Sequence, residues 1–149
     1  MAWRRTLAAA LFFLASMGAA HACRGQHWES SIVLGDLTGI DAPVAMHVTI
    51  TQMLNDLPQS GEQVPQDQYV KRHTQIGLAR VEKVIRGDFR ESFVQIAVLP
   101  TSCGPFIQVG LSGIVAGQIE RGADGVAVLK PIAESDATRQ TRLKKSSGR

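Results

Sequence analysis

The chain has 149 residues, 44 % of them apolar, with 16 Lys and Arg against 13 Asp and Glu. The positive excess belongs to the two ends: residues 23–138 hold nine basic and thirteen acidic groups, a net of −4. That excludes a basic body able to track a phosphate backbone, and the length suits one domain with one core.

In chain order, the first 22 residues fall into three zones. Arg4 and Arg5 give a positive start, Leu7 to Ala15 an apolar stretch, and Ala20-His21-Ala22 puts small residues where a signal peptidase inspects them. This layout predicts a secretory signal peptide over residues 1–22. The apolar run is shorter than the roughly 20 residues that cross a bilayer. No later segment is longer, so no integral membrane segment is expected in the mature chain. Cleavage after Ala22 makes Cys23 the first mature residue and implies a periplasmic or secreted location. A cysteine there also raises acylation of its thiol, which would make a lipid-anchored envelope protein. Ala20 and His21 depart from the Leu and small residue that a lipoprotein signal carries at those positions.

Two cysteines remain, Cys23 and Cys103. In an oxidising compartment they are expected to form an intramolecular disulfide. The closed ring would contain 81 residues, and the chain-entropy model assigns such a loop about 4.5 kcal/mol.

Residues 23–42 read as an irregular leader with His27, Trp28 and the apolar triplet Ile32-Val33-Leu34. After Pro43, Val44, Met46, Val48 and Ile50 alternate with Ala45, His47, Thr49 and Thr51, the period of a half-buried strand. Residues 55–70 are a polar loop punctuated by Pro58, Gly61 and Pro65. Further strands are predicted over Gln75–Ile85, Phe93–Leu99, Gly110–Glu120 and Val126–Ile132. The turns between them contain Arg86-Gly87-Asp88, the Cys103 loop and Gly122-Ala123-Asp124-Gly125. Beyond Ala133 the composition becomes Ser, Thr, Arg and Lys, which predicts a basic disordered tail over 135–149. The fold class is therefore all-β: a five-stranded OB-like barrel domain over 23–134 with an irregular N-terminal leader.

The stretch Ala79-Arg80-Val81-Glu82-Lys83-Val84-Ile85-Arg86-Gly87-Asp88 continues through Phe93-Val94-Gln95-Ile96 to Ser102-Cys103-Gly104. Phe106, Gly110 and Gly113-Ile114-Val115-Ala116-Gly117 follow. This order resembles the TIMP-like branch of the netrin-module OB-folds, the tissue inhibitors of metalloproteinases and their small secreted bacterial look-alikes. The resemblance covers residues 43–120. It implies that Cys23, tied to Cys103, offers its free amine and carbonyl to the open site of a protease zinc. The sequence departs from that pattern at Gly25, where the inhibitors have a second cysteine, and at Arg24, where they have a small hydroxyl residue.

Chemistry-bearing clusters are sparse. His27, His47 and His73 lie on three separate segments without metal-ligand spacing. Gly110-Leu111-Ser112-Gly113-Ile114 lacks the final glycine and the strand–turn–helix context of a nucleophile elbow. The reading is a non-catalytic binding or accessory domain, without cofactor, that takes a protein partner and no nucleic acid. Its contact surface is placed at Cys23, Arg24, Ser102 and Gly104. The alternatives are a metalloprotease inhibitor acting through Cys23 and the lipid-anchored protein acylated there.

Overall fold

A computed structural model describes residues 30–59, 61–101 and 104–148, so the predicted signal peptide lies outside the described residues. In chain order the elements are β1 (Ser30–Ser31), β2 (Val44–Met53), a 3-10 turn (Gln66–Gln68), α1 (Tyr69–His73), β3 (Gln75–Arg86) and β4 (Phe93–Val98). They continue with β5 (Ser112–Arg121), β6 (Ala127–Pro131), β7 (Glu134–Ser135) and α2 (Asp136–Ser147). Strands β2 to β6 close into a barrel of order β2-β3-β4-β6-β5, with β5 pairing back to β2. Three consecutive antiparallel strands with the fourth returning beside the first make a Greek key. β6 completes the barrel, antiparallel to β5 and parallel to β4. This is the five-stranded OB-like architecture.

The alternation in β2 has its expected consequence. Val44, Met46, Val48 and Ile50 all point into the barrel, where they meet Val94, Ile96, Val115 and Leu129. Three register shifts between β2 and β3 insert bulges, which add the twist that a small barrel needs to close. Closure also depends on Gly117. A Cβ there would overlap the carbonyl oxygen of Lys130 and lie 3.0 Å from the Cα of Pro131. Only a glycine lets β6 approach β5 so closely.

Two expectations need correction. Ala45 does not face solvent: it is fully buried, with Leu34, Ile40, Ala42 and Ala116, in a second apolar cluster. From Ser30 onward the leader is little regular but lies along the outside of β2 and β5, and Leu34 N–H donates to the Ile114 carbonyl at 2.7 Å. Arg86 fastens the other end of the leader by donating to the carbonyls of Ile40 and Ala42 at 2.7 and 3.3 Å. The tail expected to be disordered over 135–149 is instead helical from Asp136 to Ser147. Ser135 caps that helix by accepting from the Thr138 N–H, and Asp136 complements its N-terminal dipole. No α2 residue is buried, so the composition gave no apolar stripe to read.

The barrel contacts predict different costs at two glycines. Gly117→Ala must push β6 away and is expected to cost about 3 kcal/mol, in the range of overpacking. Gly110 has a φ of +89° and open space around it, so Gly110→Ala meets only the left-handed backbone penalty of about 1–2 kcal/mol. Urea denaturation midpoints of the two variants check the order.

Candidate binding site

Strand direction gathers the ends of β2, β4 and β6 and the starts of β3 and β5 at one end of the barrel. The two barrel ends differ in chemistry. At the opposite end the turns hold ion pairs, Arg90–Asp88 at 3.1 Å and Arg121–Glu91 at 2.6 Å. At the first end the loops leave large apolar side chains in solvent. Leu54, Leu57, Tyr69 and Val70 lie between β2 and β3; Leu99, Phe106 and Val109 lie between β4 and β5; and Ile132 follows β6. Eight of the twelve large apolar residues exposed among the described ones thus share one barrel end. Phe106 and Val109 are each 59 % exposed.

Side-chain amides hold these loops in place. Gln75, at the start of β3, accepts from the Ile107 N–H at 3.0 Å and donates to its carbonyl at 3.5 Å, as a neighbouring strand would. Buried Ile107 is thereby pinned while Phe106 beside it stays exposed. Asn55 similarly donates to the Thr74 carbonyl at 2.8 Å and accepts from the Ile76 N–H at 2.7 Å. That closes the 55–74 loop at its base. Tyr69 stacks on His73 with ring centroids 4.0 Å apart.

A groove of about 430 Å³ opens at this end between the described leader, the end of β4 and the residues Thr101, Gly104 and Pro105. Ile32 and Ser30 line it from the leader, Leu99 and Pro105 from the β4–β5 connection, and Pro131 and Ala133 from the end of β6. β4 and β6 pair only at Gln95–Val128 and Ile96–Leu129, and the groove lies where their ends diverge. Its volume is in the range of ligand sites, and among the described residues its walls carry no charged side chain.

Of the sequence-predicted contact residues, Gly104 is described and lies at this groove. Thr101 and Gly104 exchange backbone hydrogen bonds at 3.2 and 3.1 Å. A Cβ on Gly104 would stand 3.1 Å from the Ser30 carbonyl oxygen, so the leader crosses directly over this turn. Cys23, Arg24, Ser102 and Cys103 lie outside the described residues. The apolar side chains on the loops and the amide clamps of Gln75 and Asn55 escaped the sequence reading. An apolar residue placed between loop prolines and glycines, as at Phe106, was the available signal.

The last wall of the groove is formed by Ser135 and by Thr138 of α2. α2 is held by Arg142, which donates to Glu134 at 2.7 and 3.1 Å, to Asp36 at 3.0 Å and to the Thr38 carbonyl. The guanidinium is driven further toward its charged form by the Glu134 carboxylate first and by Asp36 second. In turn Arg142, with the Thr38 N–H, holds the Asp36 carboxyl below the usual carboxylate range. On the barrel wall, Glu82 is likewise held low, chiefly by Arg80 at 2.8 Å. Among the described residues, no group of three or more His, Cys, Asp or Glu could hold a metal ion. No helix there is long and apolar enough to cross a membrane.

No family model, curated protein or solved structure matches the chain.

The depressed Asp36 carboxyl fixes the sign of an acid effect. Its contribution to α2 docking is present above the unfolded Asp value of about 4 and is lost as pH falls through the lower folded value. Protection factors of α2 amides, taken against the intrinsic exchange rate at each pH, should therefore be steady between about pH 7 and pH 5 and fall relative to those of β2 and β5 below about pH 4. Separately, Asn55→Ala removes a two-ended clamp and is expected to cost about 1–3 kcal/mol, with 55–74 becoming the first site of proteolysis.

Proposed function

We propose that the protein is an exported, non-catalytic binding domain, periplasmic or secreted, whose contact surface is the leader together with the 101–105 loop and its flanking apolar side chains. Its partner is a protein. The observation that supports this reading is a groove whose described walls are uncharged, with exposed Leu99 on its rim and exposed Phe106 next in the chain to its wall residue Pro105. Contiguous apolar exposure on a soluble domain marks interaction surfaces, and aromatic anchors set into ordered loops are the side chains that dominate protein interfaces. A nucleic-acid role is disfavoured by the acidic body, since single-strand binders combine stacking aromatics with a basic groove.

The closeness of Gly104 to Ser30 favours a second reading. Cys103 immediately precedes Gly104, and Cys23 stands seven residues before Ser30, within about 25 Å of extended chain. A Cys23–Cys103 disulfide would tie the mature amino terminus to this end of the barrel. The Cys23 amine and carbonyl would then be presented as in the TIMP-like inhibitors, ready to chelate a protease zinc with an open coordination position. Arg24, long and charged in the place of a small residue, does not suit the protease pockets those inhibitors fill.

Photo-crosslinking tests the contact surface. A benzoylphenylalanine at position 106 should yield a defined protein adduct in the producing cell, while the same group at position 126, at the opposite end, should not. Leu99→Glu, which charges the groove rim, should reduce the adduct at least tenfold. Equal labelling from both ends, or none from 106, overturns the reading. Intact-mass measurement of the exported protein should show a chain beginning at Cys23 that gains about 2 Da on reduction. Additional acyl mass would identify the lipid-anchored form instead. For the inhibitor reading, micromolar protein with a free Cys23 amine should inhibit a zinc protease and the acetylated protein should not; equal inactivity of both excludes it.

A further inference from the structure

The C-terminal helix is held at the groove in an unusual way. No side chain of α2 is buried, so it lacks the apolar stripe that cements most surface helices. Its links to the body are ionic and local. Arg142 reaches Asp36 and the Thr38 carbonyl on the leader, and β7 pairs with β1 over only two residues. Two glycines make room for the arginines: a Cβ on Gly35 would overlap the Arg139 guanidinium, and one on Gly39 would lie 3.2 Å from Cγ of Arg142. The strongest bond of Arg142, to the buried carboxylate of Glu134, lies within the β7–α2 segment and moves with it. The bond to the body involves Asp36, whose side chain is 40 % exposed, and such pairs are weak and screened by salt.

Space remains beneath the helix. A second cavity of about 210 Å³ lies under α2, lined by Ile40, Ile132, Ala133, Glu134, Thr138 and Arg142 among others. It shares Ala133 and Thr138 with the groove. The first turn of α2 therefore stands where the two cavities adjoin, and its departure would join them into one trough from Leu99 to Ile40.

We propose that β7 and α2 form a releasable strap, latched to the leader through Arg142 and Asp36, whose undocking opens the groove into this longer trough and so regulates partner access. The inference rests on the groove being the contact surface. It assigns the paired leader glycines and the basic composition of the tail to one device, a latch fastened by charge over an apolar site. The groups facing Arg142 are Asp36 from the leader and Glu134 from β7, with Arg139 one turn earlier on α2 and Asp41 lining the same cavity.

Hydrogen exchange and a neutral dye test the latch on the full exported protein. Asp36→Asn keeps the side-chain oxygen that accepts from the Thr38 N–H but removes the charge that Arg142 meets on the body. Arg142→Gln removes the latch from the other side. Both variants should exchange α2 amides several-fold faster than the parent, while β2 and β5 amides stay protected, which shows an intact barrel. Raising salt to about 1 M should loosen α2 of the parent in the same direction. Nile red, which does not respond to the altered charge, should gain several-fold in fluorescence with both variants, and Leu99→Glu in the Asp36→Asn background should cancel the gain. Unchanged α2 exchange in both variants, or faster exchange with no dye gain, overturns the strap. If the position-106 adduct still forms and is insensitive to Asp36→Asn, the strap alone fails. If that adduct never forms, the contact surface fails with it.

Discussion

Ile32 and Leu34 tie the leader to the barrel from two sides, and the features of the candidate site hang on that tie. Ile32 is almost wholly enclosed by the main core, while Leu34 seals the outer cluster against Ala45 and Ala116. Between them Val33 fits over Gly113, whose missing Cβ leaves the room it occupies. Each fully buried aliphatic side chain contributes roughly 1.5–3 kcal/mol by transfer from water, so the leader is part of the domain's stability. Its path then fixes three neighbours at once: Ser30 against Gly104, the short ladder to β7, and the Asp36–Thr38 turn that receives Arg142.

A closed five-strand barrel leaves little room for chemistry inside. Its interior is filled by Met46, Ile50, Ile96 and Leu129 packed to near-zero exposure, and such cores behave like close-packed solids. Any function must therefore come from the ends and the outer wall. The two ends differ in balance: one carries the Arg90–Asp88 and Arg121–Glu91 pairs beside exposed Ile85, Phe93 and Val126, the other the Arg72–Glu62 pair and most of the large apolar side chains exposed among the described residues. Surface pairs such as Arg90–Asp88 add little stability. The apolar end has no explanation within the folded chain, which is why a partner is the economical reading of it.

How much of this was legible in the sequence follows from the periods involved. All five barrel strands could be read because β2 alternates cleanly and Gly and Pro mark the turns, and the strand ends lie within one or two residues of the predicted ones. Ala45 was misplaced because alternation assigns faces relative to one core, and here the leader supplies a second core on the other face of β2. α2 was missed because its anchors are Arg139 and Arg142, polar residues that composition counts as solvating. The cradle for them, Gly35 and Gly39, lies about a hundred residues earlier, so no local pattern connects the two. The clamps of Gln75 and Asn55 are equally invisible before folding, since each replaces a strand partner by one amide whose targets are backbone groups.

These clamps bear on why apolar side chains can remain exposed without collapsing onto the barrel. A loop is ordered when its backbone groups find partners, and here the partners come from Gln75 and Asn55, whose positions are set by β3 and the end of β2. The backbone at Ile107, Thr74 and Ile76 is therefore fixed to the barrel, beside the points where Phe106 and Leu54 stand exposed. Preorganised display of this kind lowers the ordering cost that a partner would otherwise meet on binding. The α2 strap obeys the opposite rule: it is placed by charge, with open space beneath it, and so can leave without disturbing the packed interior. The same end of one small barrel thus combines a rigid apolar display with a removable ionic cover, and the division between them runs through Ala133 and Thr138, where the two cavities meet.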